Sequence, residues 1–199
     1  MRIRPRLLVT GIVLSAAGVI AAASVMSCAR ISGRKTQQAS QMMSMPFGDP
    51  ASVSYSQSLW SALVQARLAG PQAKPGKPYK GQAPHGAVLE TFTSAVTMGS
   101  HRGKVVVKRN YGPAGISIKD VSRARAKHLM AVTVMYKREK GYDAQNNDWF
   151  WVKYKPDGTL HVNPKGMKLA GRVAKGMNQG CIACHSAVKD KDYLFGKQK

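Results

Sequence analysis

The stretch Ala131-Val-Thr-Val-Met-Tyr-Lys137 decides the fold class of this chain, because apolar side chains alternate along it with a period of two. Such alternation is typical of a β-strand that buries one face. The stretch Trp149-Phe-Trp-Val-Lys-Tyr-Lys155 repeats the pattern. Pro156-Asp157-Gly158 then predicts a tight turn that leads into a short strand at Leu160–Val162. A chain built on such strands does not form a helix bundle.

Segments further upstream add two strands and two helices to this expectation. Ala87–Thr93 and the Val-rich Lys104–Tyr111 predict strands, and the charged, Ala- and Arg-rich Ile116–His128 predicts a helix. Apolar residues at helical spacing predict an amphipathic helix over Ser54–Leu68, which Gly70-Pro71 ends before an exposed connection. We therefore expect an α+β domain, mainly antiparallel β, with a few peripheral helices.

The C-terminal part of the chain contains Cys181-Ile-Ala-Cys-His185, which matches C-x-x-C-H, the signature of a c-type haem, so we expect a C-terminal haem-attachment segment. Two thiols at this spacing can add to the two vinyl groups of one porphyrin edge, and the histidine can then bind the iron. The alternatives are half of a zinc site and a thioredoxin-like redox pair. Zinc would need a second ligand pair, and Cys28 is the only other cysteine. A redox pair usually opens a helix in a βαβ unit, which this region does not resemble. The motif predicts one covalent haem c.

Charge is the second compositional signal. The chain has 31 Lys and Arg residues against 9 Asp and Glu, for a formal net charge of +22. Nucleic acid is the first partner that such an excess suggests. Here the basic residues are spread along the whole chain and no nucleic-acid motif accompanies them, so we expect no nucleic-acid partner. The charge favours an acidic protein partner or an anionic membrane.

Composition divides the chain into three parts. Residues 1–28 form an export signal or a membrane anchor, because a cationic start precedes an apolar run over 7–26. Residues 29–52 are polar and predict a flexible linker, and residues 53–199 form the haem domain. Export agrees with the haem motif, since bacterial c-type haems are attached outside the cytoplasm. We expect a periplasmic protein.

The fate of the N-terminal segment stays open at this stage. Small residues at Ala21-Ala22-Ala23 allow cleavage there. Val25-Met26-Ser27-Cys28 resembles a bacterial lipoprotein box, with Cys28 as the lipidated residue. The apolar run is also just long enough to span a bilayer as an uncleaved helix. In the last two cases the protein contacts the membrane through its N-terminus.

Five motifs occur in a fixed order: Gln82-Ala-Pro-His-Gly-Ala-Val-Leu-Glu90, Val105-Val-Val-Lys-Arg-Asn-Tyr111, Ala131–Lys137, Asp148-Trp-Phe-Trp-Val-Lys-Tyr154 and Gly180-Cys-Ile-Ala-Cys-His-Ser-Ala187. Together they resemble the cytochrome P-460 family over about Tyr55 to Phe195. The resemblance implies a strongly curved antiparallel sheet with few helices, a homodimer and one c-type haem. The family divides into hydroxylamine-oxidising cytochromes and cytochromes c-prime-beta, which bind nitric oxide or carbon monoxide.

The resemblance also implies roles for particular residues. Cys181 and Cys184 would form the thioethers, and His185 would be the proximal iron ligand. Lys108, at the end of the Val-rich strand, matches the lysine that the family's enzymes bond to the porphyrin. The alternative is a lysine that leaves the strand end and reaches solvent or a haem propionate.

Hydroxylamine oxidation further needs a group that accepts protons. Glu90 and Asp148 are the carboxylates that we expect near the sheet, although each also fits a surface or strand-end position. His85 fits either a distal haem residue or a loop histidine with a satisfied hydrogen bond. No methionine follows the haem motif, so Met167 or Met177 would have to bind the iron from upstream. Phe92, Val107 and Met135 fit either a pocket wall or the core. Trp149 and Trp151 are most simply packing residues, and we expect His101, His128 and His161, which lie in polar contexts, to be exposed.

The sequence therefore predicts an exported monohaem cytochrome that binds a small nitrogen ligand, hydroxylamine or nitric oxide, at an open haem site. As an enzyme it would oxidise hydroxylamine and pass electrons to a partner cytochrome with an acidic surface. As a binding protein it would capture nitric oxide without turnover. The alternative from another class is a six-coordinate electron-transfer cytochrome without substrate chemistry.

Overall fold

The computed structural model describes residues 46–196, and its centre is a six-stranded antiparallel sheet. Neighbouring strands in the sheet also follow one another along the chain. This architecture confirms the predicted α+β class with a mainly antiparallel sheet. The strands are β1 (Tyr79–Lys80), β2 (Val88–Met98), β3 (His101–Tyr111), β4 (Leu129–Lys137), β5 (Trp149–Tyr154) and β6 (Ala170–Gly171).

Helices surround the sheet at its ends and on its faces. Short 3-10 turns at Ala144–Asn146 and Ser186–Lys191 supplement them. In the described part of the chain, no helix has the length and apolar character that a membrane crossing would need. The predicted segment 1–28 and most of the predicted linker 29–52 lie outside the described residues. The helices are α1 (Pro50–Gln65), α2 (Ile118–Arg123), α3 (Arg125–His128) and α4 (Cys181–His185).

Helix α1 begins earlier than the pattern of apolar residues indicates. Asp49 caps it by accepting a hydrogen bond from the backbone N–H of Ser52 at 2.9 Å, and Pro50 occupies the first turn. Phe47 is buried and pairs with Gly171 in an isolated bridge. The predicted helix at Ile116–His128 is confirmed as two short helices, α2 and α3, which a non-helical backbone at Ala124 separates.

The strand predictions were right in position and wrong in extent. β2 continues past Thr93 to Met98 and pairs with all of β3 across a tight turn, where Gly99 has a φ of +59°. Polar threonines on the exposed side of β2 hide this continuation from an apolar pattern. The predicted strand at Leu160–Val162 is wrong: it forms only two isolated bridges, because a turn centred on Asn163 follows at once.

Alternation along the strands gives the sheet two different faces. The helix face packs against α1, through Leu59 and Leu63, and its core residues are Val105, Val107, Val132, Val134, Tyr136, Phe150, Val152 and Tyr154. The motif face packs against the C-terminal segment that carries the haem motif. Its core residues are Val106, Met135, Trp149, Trp151, Val173, Ala174, Ile182, Tyr193 and Leu194, together with Phe47.

Candidate haem site

Helix α4 presents the motif residues to the motif face of the sheet. Gly180, with a φ of +119°, turns the chain into the helix, and the N–H of Ile182 donates to the carbonyl of Val173 at 3.1 Å. Residues spaced by three or four positions lie on one side of a helix. Cys181, Cys184 and His185 therefore share one side of this single turn, which is the arrangement that attachment of one porphyrin edge and its iron requires.

The orientation of His185 follows from one hydrogen bond. Its ring is buried, and Nδ1 lies 2.7 Å from the carbonyl oxygen of Tyr193. Since a carbonyl oxygen only accepts, Nδ1 carries the proton and Nε2 presents a lone pair. Burial lowers the pKa of His185, the bond to Tyr193 opposes this shift, and the charge of Lys108 lowers the pKa further. A neutral imidazole with one nitrogen anchored and the other free is the form that binds a metal.

The two thiols differ in exposure. Cys181 packs at the edge of the motif-face core, whereas Cys184 is exposed, and no disulfide joins them. Burial raises the pKa of the Cys181 thiol to about 11. Cys181 is therefore a neutral thiol near pH 7. Both thiols are available for thioether bonds.

Aromatic side chains enclose the His185 ring. The ring centres of Trp151 and Phe195 lie 4.9 Å and 5.1 Å from it, both in edge-on contact. Trp151 is buried, and its Nε1 has no hydrogen-bond partner within residues 46–196. Met135, opposite Trp151 across β4 and β5, and Val106 extend this apolar surface. A porphyrin has an apolar ring and polar edge substituents. Its ring could cover this apolar wall, and a polar substituent could accept the hydrogen bond that Trp151 Nε1 lacks.

Lys108 lies on the motif face, in the middle of the sheet and opposite Thr133 of β4. It is half-buried, and its amine makes no hydrogen bond or salt bridge with any described residue. Burial lowers the pKa of Lys108. The charge of Lys108 lowers the pKa of both His85 and His185.

His85 completes this group from the connection between β1 and β2. Its ring centre lies 6.1 Å from that of His185, with the ring planes at 88°. Burial lowers the pKa of His85 to about 4, and the charges of Lys108, His185 and Lys153 lower it further. The structure thus brings His85 and Lys108 to the haem motif, although each is more than 70 residues away in sequence.

Glu90 lies elsewhere. Its side chain is fully buried on the helix face, and its carboxylate accepts from Arg125 Nε at 2.7 Å, Tyr111 Oη at 2.8 Å and Arg109 Nη1 at 3.2 Å. Burial alone would raise the pKa of Glu90, but the hydrogen bonds from Arg125 and Tyr111 and the two guanidinium charges lower it overall. The expected surface position was wrong, and the carboxylate is fully occupied by these partners.

Asp148 is a turn residue. Its Oδ1 accepts the backbone N–H of Asp143 at 2.8 Å, and its own backbone has a φ of +57° immediately before β5. This carboxylate closes the loop that precedes β5. The structure therefore gives both candidate carboxylates local structural partners and places neither beside His185.

The remaining candidates divide between the two faces. Phe92 and Val107 pack on the helix face, and Phe92 lies against the Arg109 guanidinium. Met135 is on the motif face, as is the half-buried Met167, whereas Met177 is exposed.

The prediction that His101, His128 and His161 are exposed was wrong, since all three side chains are half-buried. His101 and His128 each form a hydrogen bond with a backbone carbonyl. Nε2 of His161 has no hydrogen-bond partner within residues 46–196.

Sequence patterns missed the residues that position the motif. Tyr193 acts through its backbone carbonyl, for which no side-chain pattern exists. Asp192 holds the same segment by accepting from Lys137 Nζ at 2.6 Å and Trp149 Nε1 at 3.0 Å. Trp151 was expected only as a packing residue, although it also contacts His185.

The residues present fit a haem c. Two free thiols can form the thioether bonds, Nε2 of His185 can bind iron, and an apolar aromatic surface can hold the macrocycle. Lys108 and Lys153 supply positive charge on the same face for the propionates. No group of three or more His, Cys, Asp or Glu residues that could hold a bare metal ion exists within residues 46–196. Fold and site together define a c-type haem site on one face of an antiparallel sheet.

Comparison with known families agrees with this class. The family model described as Cytochrome P460 matches residues 76–196, which is more than half of the chain. The chain belongs to the cytochrome P460 family, and it is therefore a c-type haem cytochrome. No curated protein and no solved structure is significantly similar to it.

Proposed function

We propose that this protein binds hydroxylamine or nitric oxide at the haem-iron position that faces away from His185. The observation that carries the proposal is the buried His185, whose Nδ1 is bonded to the Tyr193 carbonyl beside an unpaired Lys108. Cys181 and Cys184 would hold the haem and His185 would bind its iron. When bound, the haem supplies a redox-active iron with one axial position for a nitrogen ligand.

The residues around the site support small, uncharged ligands. The wall formed by Val106, Met135 and Trp151 is apolar and gives no carboxylate to a cationic ligand. Lys108 adds a positive charge, and burial lowers its pKa, so that a larger fraction of its amine is neutral than at an exposed lysine. A neutral amine accepts a proton or acts as a nucleophile. Lys108 thus serves either as the lysine bonded to the porphyrin or as a free base beside the ligand.

Electron exchange is the second part of the proposal. A net charge of +22 favours association with an acidic cytochrome, which would receive the electrons from hydroxylamine. The sequence also supports export to the periplasm, attachment to the membrane through the N-terminus, and the homodimer that the family resemblance implies. If the protein only captures nitric oxide, the same site operates without this partner.

A six-coordinate electron-transfer cytochrome is the second candidate function. The specific observation in its favour is the 6.1 Å separation of the His85 and His185 rings, which places a second imidazole at the haem site. In that case the basic surface would still bind an acidic partner, and the iron would take up no external ligand.

Absorption spectra of the purified full-length protein test these functions. We expect the ferrous protein to change its spectrum on addition of nitric oxide, or the ferric protein to be reduced by hydroxylamine. A red-shifted ferrous Soret band, and a haem peptide that contains Lys108 in mass spectrometry, would identify the enzyme with a modified macrocycle. An ordinary c-haem spectrum that responds to nitric oxide alone would identify the gas-binding protein. A spectrum that changes with neither compound would overturn the proposal and leave electron transfer.

A further inference from the structure

His85 lies on a loop that both neighbouring strands hold in place. The N–H of Gly81 donates to Ala87 at 2.8 Å, and the N–H of Ala87 donates to Tyr111 at 3.0 Å, so that the loop is closed on itself and on β3. Gly86 packs directly against the same strand: a Cβ at this position would come within 2.8 Å of the Tyr111 carbonyl oxygen. The loop backbone therefore fixes where the His85 ring projects.

The spacing between the two histidine rings matches a shared metal. Two imidazoles bound to opposite sides of one metal ion have ring centres about 6 Å apart, since each metal–nitrogen bond is about 2 Å and each nitrogen lies about 1 Å from its ring centre. The observed distance between the centres of His85 and His185 is 6.1 Å. Perpendicular planes, observed at 88°, are compatible with such a pair. An edge-to-face contact between two unliganded rings has a similar spacing, and the spin state of the iron distinguishes the two cases.

A neighbouring side chain is placed to anchor the other nitrogen of His85. Asn110 lies beside it on β3, and its interaction with His85 favours the protonated ring, as an acceptor oxygen would. The side-chain oxygen of Asn110 is buried and has no hydrogen-bond partner within residues 46–196, so it is free to accept the N–H of His85. Histidines that bind a metal through one nitrogen usually donate the other N–H to such an acceptor. His185 has its own acceptor in Tyr193, so each histidine of the pair has one.

Open space lies beside the loop, and His85 itself is part of its lining. A cavity of about 430 Å³ is lined by Gly81–Ala87, by Tyr111–Gly115 and by Met130. Rotation of the His85 side chain into this cavity would leave the loop backbone and its hydrogen bonds in place. A ligand at this position could therefore be replaced without unfolding the domain.

We propose that His85 is the second axial ligand of the haem iron in the resting protein, and that the small nitrogen ligand binds by displacing it. The first half rests only on the haem site, and the second half rests on the proposed function. The exchange breaks the bond between iron and His85 as the bond between iron and the incoming nitrogen forms. No electron is transferred in this exchange, and the released imidazole keeps its lone pair.

The test compares the wild-type protein with His85→Ala, using ferric absorption and electron paramagnetic resonance spectra. We expect a low-spin wild type, a high-spin His85→Ala protein, and a return to low spin when free imidazole is added to the variant. Nitric oxide should bind His85→Ala at least about tenfold faster, because no internal ligand competes for the iron. His101→Ala is the matched control, since His101 is also half-buried but bonds the Lys137 carbonyl, and we expect it to leave the spectrum unchanged.

The outcomes separate the two proposals. A high-spin wild type that binds nitric oxide, with the same spectrum in His85→Ala, would overturn the role of His85 and leave the proposed function standing. A low-spin wild type that becomes high-spin in His85→Ala, with no response to nitric oxide or hydroxylamine in either protein, would support His85 as a ligand and overturn the proposed function. If His85→Ala does not fold, His85→Gln and the wild-type spin state still decide the matter.

Discussion

At the scale of single residues, a backbone carbonyl decides what the proximal histidine can do. The motif supplies the imidazole, but the carbonyl of Tyr193 fixes the proton on Nδ1 and leaves the lone pair on Nε2. Without that bond the ring could rotate or exchange its proton between nitrogens. The motif therefore identifies the ligand, and the following segment sets its orientation.

Replacement of His185 tests this assignment directly. We expect His185→Ala to retain covalent haem, because both thiols remain, and to lose the proximal bond, because no other group occupies that position. Haem staining after denaturing electrophoresis should be unchanged, while the absorption spectrum of the native protein should shift. Ser186→Ala is the control, since this exposed hydroxyl donates only to the carbonyl of Ala183. An unchanged spectrum in His185→Ala would refute the ligand assignment.

At the scale of elements, the C-terminal segment is held to the sheet by one carboxylate. Asp192 accepts from Lys137 Nζ, from Trp149 Nε1 and from Asn147 Nδ2 at 3.1 Å. Burial alone would raise the pKa of Asp192, but the bonds from Lys137, Asn147 and Trp149 lower it overall. Since Tyr193 follows immediately, this carboxylate positions the carbonyl that orients His185.

Removal of this carboxylate should loosen the segment. We expect Asp192→Ala to lower the free energy of unfolding by about 1–2 kcal/mol, the range for lost charge-assisted hydrogen bonds at a partly exposed site. Urea unfolding followed by tryptophan fluorescence measures this change, and the haem spectrum should broaden or shift as well. Asp157→Ala is the control, because Asp157 is exposed and bonds only Thr159 in a surface turn. Equal stability and an unchanged spectrum in Asp192→Ala would exclude a positioning role.

The strands differ in how accurately the sequence predicts their ends. β4 and β5 were predicted nearly to the residue, because each buries the alternate side chains that face α1. β2 was predicted five residues short, because its continuation to Met98 is polar on one side and is stabilised by pairing with β3. Period-two alternation of apolar residues indicates which side chains are buried by another element. Backbone pairing between two strands produces no such pattern in the sequence.

At the scale of the whole molecule, a buried ionic cluster on the helix face links segments that are distant in sequence. Arg109 donates to Glu90 and to the carbonyls of Leu68 and Lys74, and Arg125 donates to Glu90 and to the carbonyl of Gly76. The cluster therefore ties the connection after α1 to β2, β3 and α3. Replacement of one partner would leave the nearly buried Arg109 charge without compensation.

Glu90→Gln should destabilise the protein by about 3 kcal/mol, as removal of one partner of a buried ion pair does. The matched control is Glu139→Gln, which breaks the exposed pair with Arg138 and should change stability by less than about 1 kcal/mol. Thermal or urea unfolding near pH 7 measures both changes. A Glu90→Gln protein as stable as Glu139→Gln would show that the cluster contributes nothing net.

The same cluster predicts how stability depends on pH. The pKa of Glu90 is lower in the folded protein than its ordinary value of about 4.5. Its contribution is therefore complete above about pH 4.5 and is lost as the pH falls through the folded-state pKa. Unfolding curves between pH 7 and pH 3 should show a steeper loss in the wild type than in Glu90→Gln. Parallel curves for the two proteins would contradict this assignment.

The sequence by itself determined the class of this protein. Period-two alternation specifies strands, and C-x-x-C-H specifies covalent haem, because both signals are local and depend on fixed spacings along the chain. The tertiary structure alone decided which faces these strands present and what meets at the haem site. Glu90 and Lys108 both lie on strands, yet one is buried with Arg109 on the helix face and the other lies on the motif face, against which the haem motif packs. Arg109 is 19 residues from Glu90, and His185 is 77 residues from Lys108, so only folding of the whole sheet brings these regions together.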